Sequence, residues 1–129
     1  MFAVNPQEAH ASNTAVTGTF LIDKLKARVL FDSGATHSFI SPYFSHKLAR
    51  DKTLMKSPLT ISTPVGEPVE VRYMYPACVV EIKERVLPAD LIELAILDFD
   101  VILGMDWLAK NHATINCYEK CVMIGYVNL

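Results

Sequence analysis

The sequence predicts an all-β domain with one or two short helices, and three observations point to that class. Runs rich in Val, Ile, Leu, Phe and Tyr recur at strand length and are separated by short stretches containing Asp, Gly, Pro or Lys. Several of these runs alternate apolar and polar residues, the period of a half-buried strand. Helix signals are confined to two stretches, residues 41–50 and 105–111. A chain of 129 residues, 51% of them hydrophobic, is enough for one domain with a core of its own. The formal net charge is -2 and the Lys and Arg residues are scattered, so no basic stripe offers itself to a phosphate backbone and no nucleic-acid partner is expected. No apolar run approaches the roughly 20 residues that span a bilayer, and the N-terminus lacks a basic-then-apolar pattern. The expectation is a domain with no membrane partner in an intracellular, cytoplasmic setting. Three cysteines, Cys78, Cys117 and Cys121, form an odd set without the spacing of a disulfide framework, which suits a reducing compartment.

Taken in order, residues 1–13 (MFAVNPQEAHASN) are polar, aperiodic and interrupted by Pro6, so they read as a flexible N-terminal segment ahead of a domain over 14–129. Residues 16–22 and 27–31 form a predicted hairpin around Asp23-Lys24-Leu25-Lys26. Its second strand hands over directly to Asp32-Ser33-Gly34. Ser41-Pro42 supplies an N-cap and a proline at the first helical position, with basic residues toward the end of 43–50. A second hairpin follows, 59–65 with 69–75, around Gly66-Glu67-Pro68. Residues 77–82 and 86–97 read as further strands. The turn Asp98-Phe99-Asp100 then opens a strand ending at Gly104, a helix over 105–111 with Trp107 as its core anchor, and a last hairpin around Tyr118-Glu119-Lys120.

Asp98 and Asp100 resemble a metal-binding pair only superficially, because no third acidic ligand stands at a useful spacing. His37, His46, His112, Cys117 and Cys121 lack the paired short spacings of a zinc site. Neither a phosphate loop nor a Ser-His-Asp set is present. No metal and no cofactor are expected.

The chemistry concentrates at Asp32. An apolar strand delivers one carboxylate into a tight polar turn, where Gly34 permits close backbone approach and the Ser33 hydroxyl and backbone N–H groups are available donors. Asp-Ser-Gly alone is also an ordinary turn in which Asp accepts a local N–H. A second block downstream changes the balance: Val101-Ile102-Leu103-Gly104-Met105-Asp106-Trp107-Leu108, again an apolar strand that ends in Gly and runs into a helix. Together with Asp32-Ser33-Gly34-Ala35-Thr36-His37-Ser38-Phe39-Ile40, this block resembles the retropepsin-like aspartic proteinases, and among them those of gypsy-type long-terminal-repeat retrotransposons. The resemblance runs from near Val16 to near Ile124.

That resemblance implies a retropepsin-like β-barrel, closed or partly open, and an aspartic endopeptidase that processes a retrotransposon polyprotein. It implies catalytic roles for Asp32, Ser33 and Gly34, with Ser33 orienting the loop and reaching a second subunit and Gly34 letting two loops meet. Ala35 and Thr36 would border the peptide cleft, and backbone groups near Val65 and Gly66 would form a flap over bound peptide. Ile102, Leu103 and Gly104 would pack against the Asp32 loop and hold it. Carboxylate-driven hydrolysis needs a base toward water and an acid toward the carbonyl, yet the chain has one Asp-Ser-Gly. A homodimer acting on a polypeptide substrate follows, with one Asp32 from each protomer. The sequence departs from the retroviral branch at Thr36 and Met105, where that branch pairs an acidic residue with Arg. The alternatives are a non-catalytic module that keeps the fold for dimerisation or peptide binding, and a structural β-domain without a ligand.

Overall fold

The computed structural model describes residues 15–62, 67–125 and the backbone of 127–128. The predicted flexible segment 1–13 lies outside the described residues, as do Val65 and Gly66. Ala15–Ile22 (β1) and Leu25–Asp32 (β2) pair antiparallel from Ala15 opposite Asp32 to Ile22 opposite Leu25. Their loop is only Asp23-Lys24, both at positive φ (48° and 70°), the twist-matched geometry of a two-residue hairpin. Leu25 and Lys26, expected in the loop, therefore belong to the strand.

Phe39–Ile40 (β3), Thr53–Ile61 (β4), Val69–Cys78 (β5), Val80–Ile82 (β6), Arg85–Val86 (β7), Ala89–Glu93 (β8) and Val101–Leu103 (β9) join the first two strands in one sheet of order β4-β5-β8-β3-β9-β2-β1-β6-β7. Its edges, β4 and β7, do not pair with each other among the described residues, so the closed form of the expected barrel is not adopted. A separate antiparallel sheet comprises Ala113–Asn116 (β10), Cys121–Ile124 (β11) and Val127–Asn128 (β12).

The expected strand over 86–97 is split. Pro88 separates β7 from β8, since a residue without an N–H cannot continue a ladder. The run 77–82 is divided as well, because β5 extends to Cys78 through a register shift at which Ala77, at φ 51°, gives its N–H to Asp90 Oδ1 at 2.8 Å. The first helix, Pro42–Ser45 (α1), is a single turn. Ser41 caps it by accepting from the Phe44 N–H at 3.1 Å. Beyond it Lys47 and Leu48 bond to carbonyls three residues back, Phe44 O at 2.9 Å and Ser45 O at 3.0 Å, so the coil tightens and stops. Met105–Lys110 (α2) lies where the sequence places the second helix, with Trp107 and Leu108 buried.

Alternation along the central strands creates two apolar clusters, one on each face of the sheet. Val29, Phe31, Ile40, Leu91, Val101 and Leu103 turn into one, which also holds Trp107. Leu30, Phe39, Ile92 and Ile102 turn into the other, joined by Ala35. The sheet is thus apolar on both faces at its centre, as strands buried on both sides must be.

Candidate active site

Strand β2 ends on Asp32, which is 3% exposed. By the two-residue period Asp32 shares a face with Leu30 and not with Phe31, so its side chain stands on the side of the cluster containing Leu30, Phe39 and Ile102. The chain then turns sharply. The Gly34 N–H donates to Asp32 Oδ1 at 2.8 Å, and the Ala35 N–H to the Asp32 carbonyl at 3.2 Å. Ala35 is buried, Ser33 half-buried, and Gly34 and Thr36 are exposed. A carboxylate fixed by the backbone of its own turn therefore sits beneath a loop whose crest reaches the surface.

What holds that loop comes from about seventy residues away. Strand β9 inserts between β2 and β3, parallel to β2 with Leu30 opposite Ile102 and Phe31 opposite Leu103, and antiparallel to β3 with Phe39 opposite Ile102. The two strands that flank the Asp32 loop are thus joined through β9. Just past it, Gly104 presses against the loop's backbone. A Cβ at this position would lie 2.2 Å from the His37 carbonyl oxygen and 2.8 Å from that of Ala35. Its φ is -97°, so close approach, not a left-handed backbone, is what demands glycine. The Met105 N–H donates to Ala35 O at 2.7 Å, and the Gly104 N–H to Ser38 Oγ at 3.0 Å. The structure thus brings Asp32, Gly34 and Ala35 together with Ile102, Leu103 and Gly104.

Two further residues of this assembly, Ser38 and Asp106, stand in the two sequence blocks, but the sequence reading assigns them no role. Ser38, with no exposed surface, donates its hydroxyl hydrogen to Asp106 Oδ1 at 2.7 Å while accepting from Gly104. The same Asp106 oxygen accepts the Trp107 N–H at 2.7 Å, so one carboxylate ties the start of α2 to the Asp32 loop. The available signal was an acidic residue in the first turn of a helix, a favoured place for negative charge. Thr36 and Met105 carry no charge: the Thr36 hydroxyl pairs with His37 Nδ1 at 2.9 Å, and Met105 is 40% exposed.

Beside the loop opens a pocket of about 180 Å³ lined by Thr36, His37, Phe39, Leu59, Thr60, Ile61 and Ser62. The acidic turn upstream of β9 is structural in its contacts. The Asp100 carboxylate accepts the Arg28 N–H at 2.7 Å, and the Asp100 N–H donates to Arg28 O at 2.9 Å. Among the described residues no three His, Cys, Asp or Glu side chains gather as a metal site, and no helix is long and apolar enough to cross a membrane. Burial pushes the Cys78 thiol up to about 12, with the nearby Asp23 adding to the rise. Cys78 belongs to the other cluster, away from the face of Asp32.

Comparison with known proteins gives a consistent picture. Residues 1–128 match the retroviral aspartyl protease family. No curated protein matches the chain. Among solved structures it is similar to the retroviral protease-like domain of Ddi1 from Leishmania major, at 14% identity and a TM-score of 0.63, covering 91% of this chain and 93% of that one. It is also similar to the EIAV protease solved in complex with the inhibitor HBY-793, at 26% identity and a TM-score of 0.62, covering 77% of this chain and 89% of that one.

Proposed function

Because the chain belongs to the retroviral aspartyl protease family, we propose that it is an aspartic endopeptidase whose active site forms where two copies meet. The observation that carries this reading is the state of Asp32: buried at a rigid strand end, bonded to the Gly34 N–H, and roofed by a loop whose Gly34 and Thr36 are exposed. A glycine at the crest lets two such loops approach about a two-fold axis. One carboxylate then removes a proton from water as the oxygen attacks the peptide carbonyl, and the partner's protonated carboxyl gives its proton to the carbonyl oxygen. Collapse of the resulting diol breaks the C–N bond and passes a proton to the leaving amine. No metal or cofactor enters that balance.

In this reading Ser33 orients the loop, Ala35 and Thr36 border the peptide, and backbone groups near Val65 and Gly66 close over it. Ile102, Leu103 and Gly104 support the loop. The natural substrate is an intracellular polyprotein of a gypsy-type retrotransposon, in keeping with the sequence resemblance of the two blocks. The alternative is a non-catalytic dimerisation or peptide-binding module, and the likeness to a protease-like domain of Ddi1 fits it at the level of fold.

The test is Asp32→Asn in the full chain, which preserves shape and removes the base. Cleavage of a peptide library is expected to vanish while peptide binding persists. Retained turnover by the variant overturns the endopeptidase reading, and binding without cleavage by the unmodified protein selects the alternative.

A further inference from the structure

Strand β4 loses its pairing with β5 partway along. Leu54 stands opposite Tyr73 and Leu59 opposite Val71, so Met55, Lys56, Ser57 and Pro58 together face the single position of Arg72. Pro58 has no N–H to give a ladder, which confines it to a bulge or a sheet edge, and β4 is an edge strand. Lys56, Ser57 and Pro58 are all exposed. We propose that Ser57 is a phosphorylation site for a proline-directed protein kinase, and that the phosphate it acquires binds Arg72 across the bulge.

The chain has three Ser-Pro or Thr-Pro dipeptides, Ser41-Pro42, Ser57-Pro58 and Thr63-Pro64. Ser41 is 4% exposed, and its Oγ caps the first helix by accepting the Phe44 N–H at 3.1 Å, so a kinase cannot reach it in the folded chain. Thr63 lies outside the described residues. Ser57 combines exposure, a backbone position outside the β4–β5 register, and the following proline. A kinase takes its target as an extended segment, and a site adapted to proline requires no N–H from the residue after the serine. In the transfer, Ser57 Oγ attacks the γ-phosphorus of ATP. The bond to the β–γ bridging oxygen breaks, its electron pair leaves on ADP, and the hydroxyl proton passes to the catalytic base of the kinase.

The local charges favour the product. Phosphoserine carries about −1.5 to −2 charge at pH 7. Lys56 adjoins it in sequence, and Arg72 is the residue of β5 that faces the bulge. Arg72 pairs with Glu70, but their side chains are 57% and 49% exposed, and an ion pair in that setting holds weakly. A phosphate dianion offers the guanidinium a bidentate, charge-assisted partner of higher charge than Glu70. Such a contact fastens β4 to β5 where their register fails. Leu59, Thr60 and Ile61, just beyond Pro58, line the pocket beside the Asp32 loop, so the modification falls on the strand that walls that pocket.

The full chain is incubated with a mitogen-activated protein kinase and ATP, and the modified positions are read by tandem mass spectrometry. Ser57 is expected to be labelled and Ser41 not, and labelling of Ser57 should be lost in Pro58→Ala, whose fold is checked by circular dichroism. Phosphorus NMR then reads the Arg72 contact, because a cation beside the phosphate favours its dianion. The second pKa of phosphoserine, about 6 when free, should be lower in the folded protein than in urea, and Arg72→Gln should remove the difference. A kinase that leaves Ser57 unmodified, or modifies it only after denaturation, overturns the site. Equal labelling of Ser57 in Pro58→Ala overturns the proline-directed reading. A second pKa that folding does not lower, or that Arg72→Gln leaves unchanged, overturns the contact with Arg72.

Discussion

Gly104→Ala tests the joint between the two halves of the site most directly. The new methyl would stand 2.2 Å from the His37 carbonyl oxygen, 2.8 Å from Ala35 O and 2.9 Å from the His37 carbonyl carbon. Ordinary contact lies near 3.5 Å, so the nearest pair must open by about 1.3 Å. All three neighbours are backbone atoms, and no rotamer change relieves them. Opening that gap pulls Met105 N from Ala35 O and Gly104 N from Ser38 Oγ, two bonds of 2.7 Å and 3.0 Å. Overpacking costs about 1–3 kcal/mol, and each lost bond adds about 1 kcal/mol. The sum, about 3–5 kcal/mol, is a large share of the roughly 5–15 kcal/mol that holds a domain folded.

Urea unfolding followed by circular dichroism reads this loss. With a slope of about 1–3 kcal/mol per molar urea, the midpoint should fall by roughly 2 M, and any peptidase activity should fall with it. Gly18→Ala is the matched control, because the three atoms nearest a Cβ there all belong to the Phe20 ring, the closest being Cε2 at 2.5 Å. That ring belongs to a half-buried side chain able to turn aside, so the cost should stay below about 1 kcal/mol. Both variants restrict the unfolded chain alike, which isolates the native clash. Equal midpoints for Gly104→Ala and the unmodified protein would refute the reasoning.

Ser38→Ala should cost about 2–3 kcal/mol in the same assay, since it strips a partner from the Gly104 N–H and from Asp106 at a site with no exposed surface; Asp106→Asn, which keeps an acceptor, should cost less, and the reverse order would contradict the network. Cys78, raised from 9.0 to about 12 by burial, contributes stability that is full below pH 9 and lost as pH rises toward 12, because the unfolded thiol ionises first. Urea midpoints between pH 8 and 11 should therefore fall more steeply in the unmodified protein than in Cys78→Ala, and parallel curves would show that the thiol is not so shifted. In the proposed mechanism one Asp32 per chain makes activity depend on association, so turnover per protomer should drop on dilution and be poisoned by excess Asp32→Asn; constant specific activity across a dilution series would sink the shared site.

The parts of the fold legible in the sequence were those written in adjacent residues. Asp32-Ser33-Gly34 announces a turn after a strand, and Gly104 announces the end of another, because a two-residue period and a glycine are local signals. That β9 lies between β2 and β3 is not local: Leu30 meets Ile102 across 72 positions of chain, and only the resemblance of the two blocks tied them together. The bond between Ser38 and Asp106 is hidden for the same reason. Each reads as a polar residue bordering an apolar run, and their bond spans 68 positions. The over-long strand at 86–97 was a different failure, in which apolar content outweighed Pro88 although proline has no N–H to continue a ladder. The first helix was over-extended because its cap at Ser41 is a local signal and its end is not, being set by the i−3 bonds of Lys47 and Leu48.

These contacts separate what one chain supplies from what two must supply. The Asp32 turn is closed by Gly34, its backbone is gripped by Gly104 and Met105, and Ser38 and Asp106 brace that grip from within the same protomer. None of these bonds needs a second copy. Where the retroviral branch places an acid and an arginine, this chain has Thr36 bonded to His37 and a part-exposed Met105, so order at the loop rests on close backbone packing and not on an ion bridge. A loop so held keeps its carboxylate geometry in the isolated protomer. In the proposed reaction the second carboxylate comes from association, which would place its control at the meeting of two preformed loops and not at the folding of either.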